Sequence, residues 1–496
     1  MEATEATNSQ PTRHIIIIGA GIVGCTTAYY LTRHPAFNPA LHKITVLEAS
    51  SIAAGASGKA GGLLALWAFP ECLVPLSYRL HAELAAEHNG AERWGYRKVG
   101  CGSISAVVKA EDLKKRPRRG AGTMLPGQDD ASANGNGQRE EAKPQLGANG
   151  TTEPQPAASS DALPIKSVDI EPGQHNHTHS LDQTQQRDSK EWDKIPKQDP
   201  HAASLLTESP LPPDLDWIDP ALVTEYSQMG LARTSNPDTA QVHPYHFTTA
   251  MAQLAAERGV EFKTHAKVTQ INHSKTSVGS IEYEDRTTGG ERVLTGITDV
   301  VVTAGPWTGR ILPRTKVEGL RAHSVVYSAD VSPYAVFTDI ALPSEWAPEH
   351  RVAKGQRRKH RGNVDPEIYA RPFGEVYACG ETDSTIPLPE TADQVQPDEA
   401  QCDDLAAYVA TVSPALAAAP VKAKQACYLP QHVRFGKECG PLVGRTAVPG
   451  LWVAAGHTCW GIQNGPATGY LMAEMLLEGE AKSADIESLD PRTWKV

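Results

Sequence analysis

Three glycines, Gly19, Gly21 and Gly24, follow directly on the apolar run of residues 14–18 in the pattern GxGxxG. That spacing suits a ligand bearing a pyrophosphate. The first glycine permits a tight turn, the second lets the phosphates approach the backbone, and the third lets the following helix pack closely on its strand. The N-terminus of that helix then faces the phosphate charge. Alone, the pattern also reads as a structural turn. Here an acid, Glu48, follows 24 residues after Gly24 at the end of a second apolar stretch. A carboxylate in that place accepts hydrogen bonds from ribose hydroxyls and repels a 2′-phosphate, which disfavours NADP. The spacing exceeds the usual ~20 residues because residues 35–42 form a loop. The bland alternative for Glu48 is an exposed acid at a strand end. Together these residues point to dinucleotide binding, and so to redox chemistry.

The elements that must position them are legible along the chain. Residues 14–18 read as a buried parallel strand. A helix follows to about His34 and stops at Pro35. Residues 43–47 are a second strand, and residues 53–64 a loop rich in Gly, Ala and Ser. Residues 244–258 read as an amphipathic helix ending at Gly259, and 260–262 and 267–271 as strands. Another buried strand at 300–303 runs into Ala304-Gly305-Pro306-Trp307. Alternating stretches between 320 and 388, such as Glu367-Ile368-Tyr369-Ala370-Arg371, predict an antiparallel sheet. A last strand at 451–455 precedes Gly456 to Gly461 and a helix starting near Pro466.

Parallel strands at both ends with antiparallel ones between predict an α/β (α+β) chain. Its Rossmann-type dinucleotide-binding domain is made of discontinuous segments, with a mainly antiparallel substrate domain inserted. The expected boundaries are 14–76, 217–315 and 436–496 for the first, and 77–110 and 316–435 for the second, with some substrate-domain strands inside 217–315. Residues 1–13 and 111–216 are expected to be disordered. The latter opens on Lys114-Lys115-Arg116-Pro117-Arg118-Arg119 and then lacks any apolar period. Such a composition buries too little surface to offset chain entropy. His175, His177 and His179 alternate within it, but in such a tract a metal site is not expected.

The chain has 496 residues, 40% of them hydrophobic and 21% charged, enough for a large core. A net charge of −11 argues against nucleic acid or anionic membrane as a general partner. No apolar run is long enough for a membrane span. Neither a secretory signal nor a transit peptide is evident in residues 1–13. The eight cysteines form no CxxC pair, which fits a reducing compartment. Cytosol is the expected location, with endosomal association or a peroxisome left open. Oligomeric state is not legible.

FAD and NAD both suit the glycine fingerprint. The far end of the chain favours FAD, because Gly456, Gly461 and a new helix bring a second backbone site to the same sheet, as one long ligand would require. On these stretches the sequence resembles the D-amino-acid oxidase superfamily of FAD-dependent oxidoreductases, which includes glycine oxidase and sarcosine oxidase-like proteins. Within it the resemblance is nearest the fungal Tda3-like branch. The matching stretches include residues 15–24, Gly55-Ala56-Ser57-Gly58-Lys59-Ala60-Gly61-Gly62, Val242-His243-Pro244, residues 301–307, Tyr369-Ala370-Arg371-Pro372, Gly440-Pro441-Leu442-Val443-Gly444 and residues 456–469.

The resemblance implies FAD contacts from Gly19, Gly21, Ile22, Val23, Gly24, Glu48 and Ala49. It implies that Ser57, Gly58, Lys59, Ala60, Gly61, Gly62 and Leu63 lie along the ribityl chain and flavin. Val268 would meet the adenine, and Ala304, Gly305 and Trp307 would pass close by. Gly456, His457, Trp460, Gly461, Ile462 and Gln463 would run beside the isoalloxazine, with the last helix aimed at its N1 and O2. It also implies an arginine clamp for a substrate carboxylate at Arg434, although Phe435 departs from the usual Arg-Pro. The alternative for Arg434 is a surface ion pair. Tyr369 either lines the pocket or is core, and Arg371 is either a second clamp or a structural ion pair. His457 and Trp460 wall the site or, for the histidine, bond backbone. Cys427 stands where some relatives tether flavin, but buried packing suits it better.

The expected reaction is oxidation of an amino-acid or N-substituted amino-acid amine, by hydride transfer from Cα to flavin N5. The imine is then hydrolysed, and electrons pass to oxygen, giving hydrogen peroxide, or to another acceptor. Lys59 is a candidate for favouring oxygen. A flavin dehydrogenase for a hydroxy acid, or a non-catalytic FAD protein whose insertion recruits partners, stay open.

Overall fold

The computed structural model describes residues 12–114, 210–230 and 238–496. Residues 1–11 and most of the expected insertion, including His175, His177, His179 and the basic run beyond Lys114, lie outside the described residues. The insertion as read from composition is too wide at both edges. Ala110–Lys114 is helical, and Leu211 and Leu215 are buried in a core cluster with Trp217 and Ile218. Two leucines and a tryptophan anchor this edge, a signal that averaging over a hundred polar residues hides.

The β-branched run of the sequence becomes the strand Arg13–Ile18, with Ile15, Ile16 and Ile17 fully buried. It sits at the centre of a six-stranded sheet. The order is Leu442–Arg445, Leu451–Ala455, Asp299–Val302, Arg13–Ile18, His42–Leu47, Glu261–Lys263. All neighbours are parallel except the edge pair Leu442–Arg445 and Leu451–Ala455. Burial on both faces explains why these strands read as continuous apolar runs. On one face the helix Ile22–Leu31 packs against Gly461–Glu478 and Pro244–Ala256. Gly469 permits the contact with the last helix, and Gly24 the close seat of Ile22–Leu31 on its own turn and the neighbouring strand. A Cβ on Gly24 would stand 2.0 Å from the Gly19 carbonyl oxygen, and one on Gly469 2.5 Å from Thr26 backbone.

The second large sheet has eight strands. Its order is Lys437–Cys439, Val421–Arg434, Val317–Ser328, Glu375–Asp383, Glu367–Arg371, Tyr334–Ala341, Gly100–Val107, Val223–Gln228. It is antiparallel apart from the parallel pair of Tyr334–Ala341 with Gly100–Val107. The helix Glu399–Val412, capped by Asp398, covers one face. The two-residue period of a strand then sorts the side chains. Ile368 joins the core beneath that helix, whereas Tyr369 packs in a separate cluster with Tyr377, Leu63 and Phe337. Among the described residues no helix is long and apolar enough to cross a membrane.

Candidate functional site

A cavity of about 680 Å³ runs from the glycine turn of the parallel sheet to the inner face of the eight-stranded sheet. At its first end the backbone is the wall. Gly19 has φ +107°, and a Cβ there would lie 2.7 Å from the Thr303 carbonyl oxygen on the neighbouring strand. Only glycine fits this turn. Gly21, Ile22 and Val23 face the cavity as the start of a helix with no side-chain cap and no acid in its first turn. Ser57 Oγ accepts the Ile22 N–H at 2.9 Å. The last helix also presents its N-terminus here, through Gly461 and Ile462, again without a side-chain cap or first-turn acid. Two helix starts without acids in their first turns on one cavity favour negative charge at two places along a ligand. This helix begins at Gly461 rather than near Pro466, and the proline sits in its second turn.

Glu48 is held at the end of its strand. One carboxylate oxygen accepts from Ala20 N–H at 2.8 Å, the other from Ser50 N–H at 2.9 Å and Ser50 Oγ at 3.0 Å. A carboxylate offers about four acceptor positions, so capacity remains for a ribose hydroxyl. Beyond it lie Val268, Lys267 and Arg310. Both cations are paired with Glu390, at 2.9 and 3.3 Å.

The other end is aromatic. Tyr369 and Tyr377 are opposite each other in the hairpin register, with rings stacked at 6.0 Å and 2°. Phe337 meets Tyr369 edge-on at 5.9 Å. Gly61 lets this wall approach, since a Cβ would lie 2.2 Å from the Tyr369 ring. Glu367 also lines the cavity and accepts from the Tyr369 hydroxyl and, at 3.7 Å, from Cys379 Sγ. Burial raises its carboxyl above the usual range, and the Tyr369 hydrogen bond only partly offsets this. Burial pushes His457 down to about 4, so its ring is neutral near pH 7. Its Nε2 lies 3.0 Å from Thr468 Oγ1.

Most residues singled out in the sequence come together here. Gly19, Gly21, Ile22, Val23, Glu48, Ala49, Ser57, Ala60, Gly61, Gly62, Leu63, Val268, Ala304, Gly305, Trp307, Gly456, His457, Trp460, Gly461, Ile462 and Tyr369 all line the cavity. Gly24, Gly58, Lys59 and Gln463 do not. Gly24 serves helix packing, and a Cβ on Gly58 would lie 2.3 Å from the Ala53 carbonyl oxygen. Lys59 Nζ donates to the Ala426 carbonyl at 3.1 Å. Gln463 Oε1 accepts from Ala65 N–H at 2.9 Å. Arg371 is buried behind the wall, where it donates to the Ala60 carbonyl, pairs with Glu375 at 3.3 Å and lies over the Tyr377 ring. Of its two sequence readings, the structural ion pair is the one this geometry supports.

Arg434 is not at the cavity, which corrects the expected carboxylate clamp. It ends its strand, where Phe435 and Gly436 turn the chain with φ +52° and +73°. Its guanidinium donates to His432 Nε2 at 3.0 Å and to the Arg314 and Thr315 carbonyls at 2.6 and 3.4 Å, and it stacks on Trp494. Earlier on the strand, Cys427, Leu429 and Pro430 reach the cavity instead. Arg434→Ala is therefore expected to leave ligand affinity and flavin reduction within about twofold, while costing about 1–2 kcal/mol of stability from lost hydrogen bonds. A large loss of ligand affinity in a normally stable variant would restore the clamp.

Sequence reasoning missed Glu367, Tyr377, Phe337 and Cys379. The period of two that marked Tyr369 also places Glu367 on its face. The partners across the sheet depend on register, which no local pattern specifies.

The backbone turn, the retained acceptor capacity of Glu48 and the two acid-free helix starts fit a long dinucleotide. Comparison with known proteins agrees. A family described as FAD dependent oxidoreductase (DAO) matches residues 14–142 and 170–475. The TDA3 protein of Saccharomyces cerevisiae is 36% identical, over 98% of this chain and 96% of its own. Among solved structures, L-proline dehydrogenase from P. horikoshii is similar in fold at 14% identity, with a TM-score of 0.57 over 98% of this chain and 99% of that one. Glycine oxidase from Geobacillus kaustophilus reaches a TM-score of 0.56 at 17% identity, over 97% and 98%. The chain belongs to the DAO family of FAD-dependent oxidoreductases, whose cofactor is FAD.

Proposed function

We propose that the chain oxidises a carbon–nitrogen single bond in a small amine or amino acid. The observation that carries this reading is the continuity of one cavity, from the glycine turn through Gly61 and Gly62 to the aromatic wall of the second sheet. A donor held against that wall lies beside the segment that the family resemblance assigns to the flavin. The names of two similar structures, a glycine oxidase and an L-proline dehydrogenase, support an amine-bearing donor. FAD, when bound, takes up a hydride and passes the electrons to oxygen or another acceptor. The chain's own residues orient the donor and exclude water. Tyr369, Tyr377 and Phe337 supply apolar faces, and neutral His457 adds a wall without a competing charge. Trp460 closes one side, with its ring 5.7 Å from that of Trp67.

The test is an anaerobic titration of the FAD-loaded protein, followed by flavin absorbance. The donors are glycine, sarcosine, D- and L-amino acids, simple amines and hydroxy acids. At least one nitrogen donor is expected to bleach the flavin, and the hydroxy acids to leave it oxidised. Bleaching by a hydroxy acid alone, or by no donor at all, overturns the proposal.

A further inference from the structure

The polar groups at the aromatic end of the cavity have one sign. Glu367 and Asp365 both line it, and the charged group that acts on Glu367 is Asp365, which raises its carboxyl further. Among the described residues, no Lys or Arg side chain lines this end. Arg371 is turned behind the wall onto Glu375 and the Ala60 carbonyl. The Lys59 ammonium sits on the Ala426 carbonyl. Lys267 and Arg310 stand toward the Glu48 end, bound to Glu390. On the strand Val421–Arg434 the residues that reach the cavity are apolar or thiol.

A carboxylate ligand placed here would meet two acids, and among the described residues no Lys or Arg side chain lines this end to receive it. A cation would meet a buried carboxylate and the rings of Tyr369 and Phe337, with Tyr377 stacked behind Tyr369 and already under Arg371. Aromatic faces attract cations through their quadrupole, most strongly when water is excluded. A buried acid without a cationic partner is costly until one arrives.

We infer that Glu367 and the Tyr369–Tyr377–Phe337 wall recognise the substrate as a cationic amine with an apolar substituent, not as a carboxylate. This rests on the amine-oxidation reading and narrows its substrate class. Glu367 then has a second task. An ammonium has no free electron pair with which to form a carbon–nitrogen double bond. Its N–H proton passes to the Glu367 carboxylate, breaking the N–H bond and forming an O–H bond. The neutral amine loses a hydride from its carbon to FAD, the nitrogen pair forms C=N, and water releases the carbonyl product and the amine nitrogen. Burial of Glu367 suits it to hold that proton.

The test is calorimetric binding to the FAD-loaded protein, which needs no turnover. Amines from ethylamine to benzylamine are paired with carboxylates of matching shape, up to benzoate, and with neutral benzyl alcohol. Amines are expected to bind more tightly than their partners. Glu367→Gln, which keeps the side-chain volume, is expected to weaken amine binding at least about 10-fold, as loss of a charge-assisted hydrogen bond implies. If Glu367→Gln fails to fold or load FAD, the wild-type preference among benzylamine, benzyl alcohol and benzoate decides alone. The inference is overturned if no amine binds more tightly than its matching carboxylate, or if a well-folded Glu367→Gln binds amines as the wild type does. In that case, bleaching by an amino acid would leave the amine-oxidation reading standing; bleaching by a hydroxy acid alone would remove both.

Discussion

Replacing Gly19 by alanine is expected to yield protein that cannot hold FAD. The turn has φ +107°, where an L side chain is strained, and the new Cβ would lie 2.7 Å from the Thr303 carbonyl oxygen and 3.0 Å from Ala304 Cα. Neither neighbour can give way easily. Thr303 N–H donates to Ile18, and Thr303 Oγ1 donates to the Ile18 and Gly19 carbonyls at 3.0 Å. Backbone strain of this kind costs about 1–3 kcal/mol, and overpacking about 1–3 more. The backbone shift that relieves it moves the start of the helix Ile22–Leu31 away from the phosphate position. Affinity for FAD should fall more than about 100-fold, equivalent to about 2.7 kcal/mol. The measurement is FAD content after purification and titration of apoprotein with FAD. Wild-type occupancy in the variant would show that this turn does not carry the cofactor.

Acidification from pH 7 to pH 5 is expected to destabilise the fold by several kcal/mol, well above the carboxylate range. His81 and His457 are both buried, and burial pushes both from 6.5 down to about 4. In the unfolded chain each takes up a proton near 6.5, but in the folded state only near 4. The stability they contribute is present above pH 6.5 and is lost as pH falls toward 4. Each histidine accounts for about 2 kcal/mol by pH 5. Glu367, raised by burial, acts in the opposite direction as it protonates. Urea unfolding at pH 7 and pH 5 reads the net effect. His81→Asn should lower the pH dependence by about 2 kcal/mol, the rest staying with His457 and with other histidines that burial pushes down, such as His323 and His432. His81 pairs through its ring with the Ile462 carbonyl and does not itself line the cavity. A flat profile between pH 7 and 5, or an unaltered slope in the variant, would contradict the account.

The glycine-turn end of the cavity was legible because it is local. The glycine turn, the strand before it and the helix after it occupy residues 13–31 in one run, and each glycine acts on atoms a few residues away or on the adjacent strand. Gly58 and Gln463 were drawn in with their neighbours, but each faces away from the cavity, since a contiguous motif does not say which residues of a turn point inward. The substrate half was legible only as alternation. Arg434 shows why. A charged residue near a matching motif looked like a clamp, yet a turn at Phe435 and Gly436 carries its guanidinium onto Arg314 and Thr315, more than a hundred residues earlier in the chain.

By itself the sequence determined the class of cofactor, the discontinuous parallel sheet and the alternating second sheet, because hydrophobic period and glycine geometry act over short distances. Only the tertiary structure decided which charges line the cavity and which are paired away from it. That depends on the register Tyr369↔Tyr377 and Glu367↔Cys379 and on the pairing of Arg371 with Glu375 and Lys267 with Glu390. Charge at a site is the sum left after distant side chains have paired, and such pairing exists only once the chain is folded.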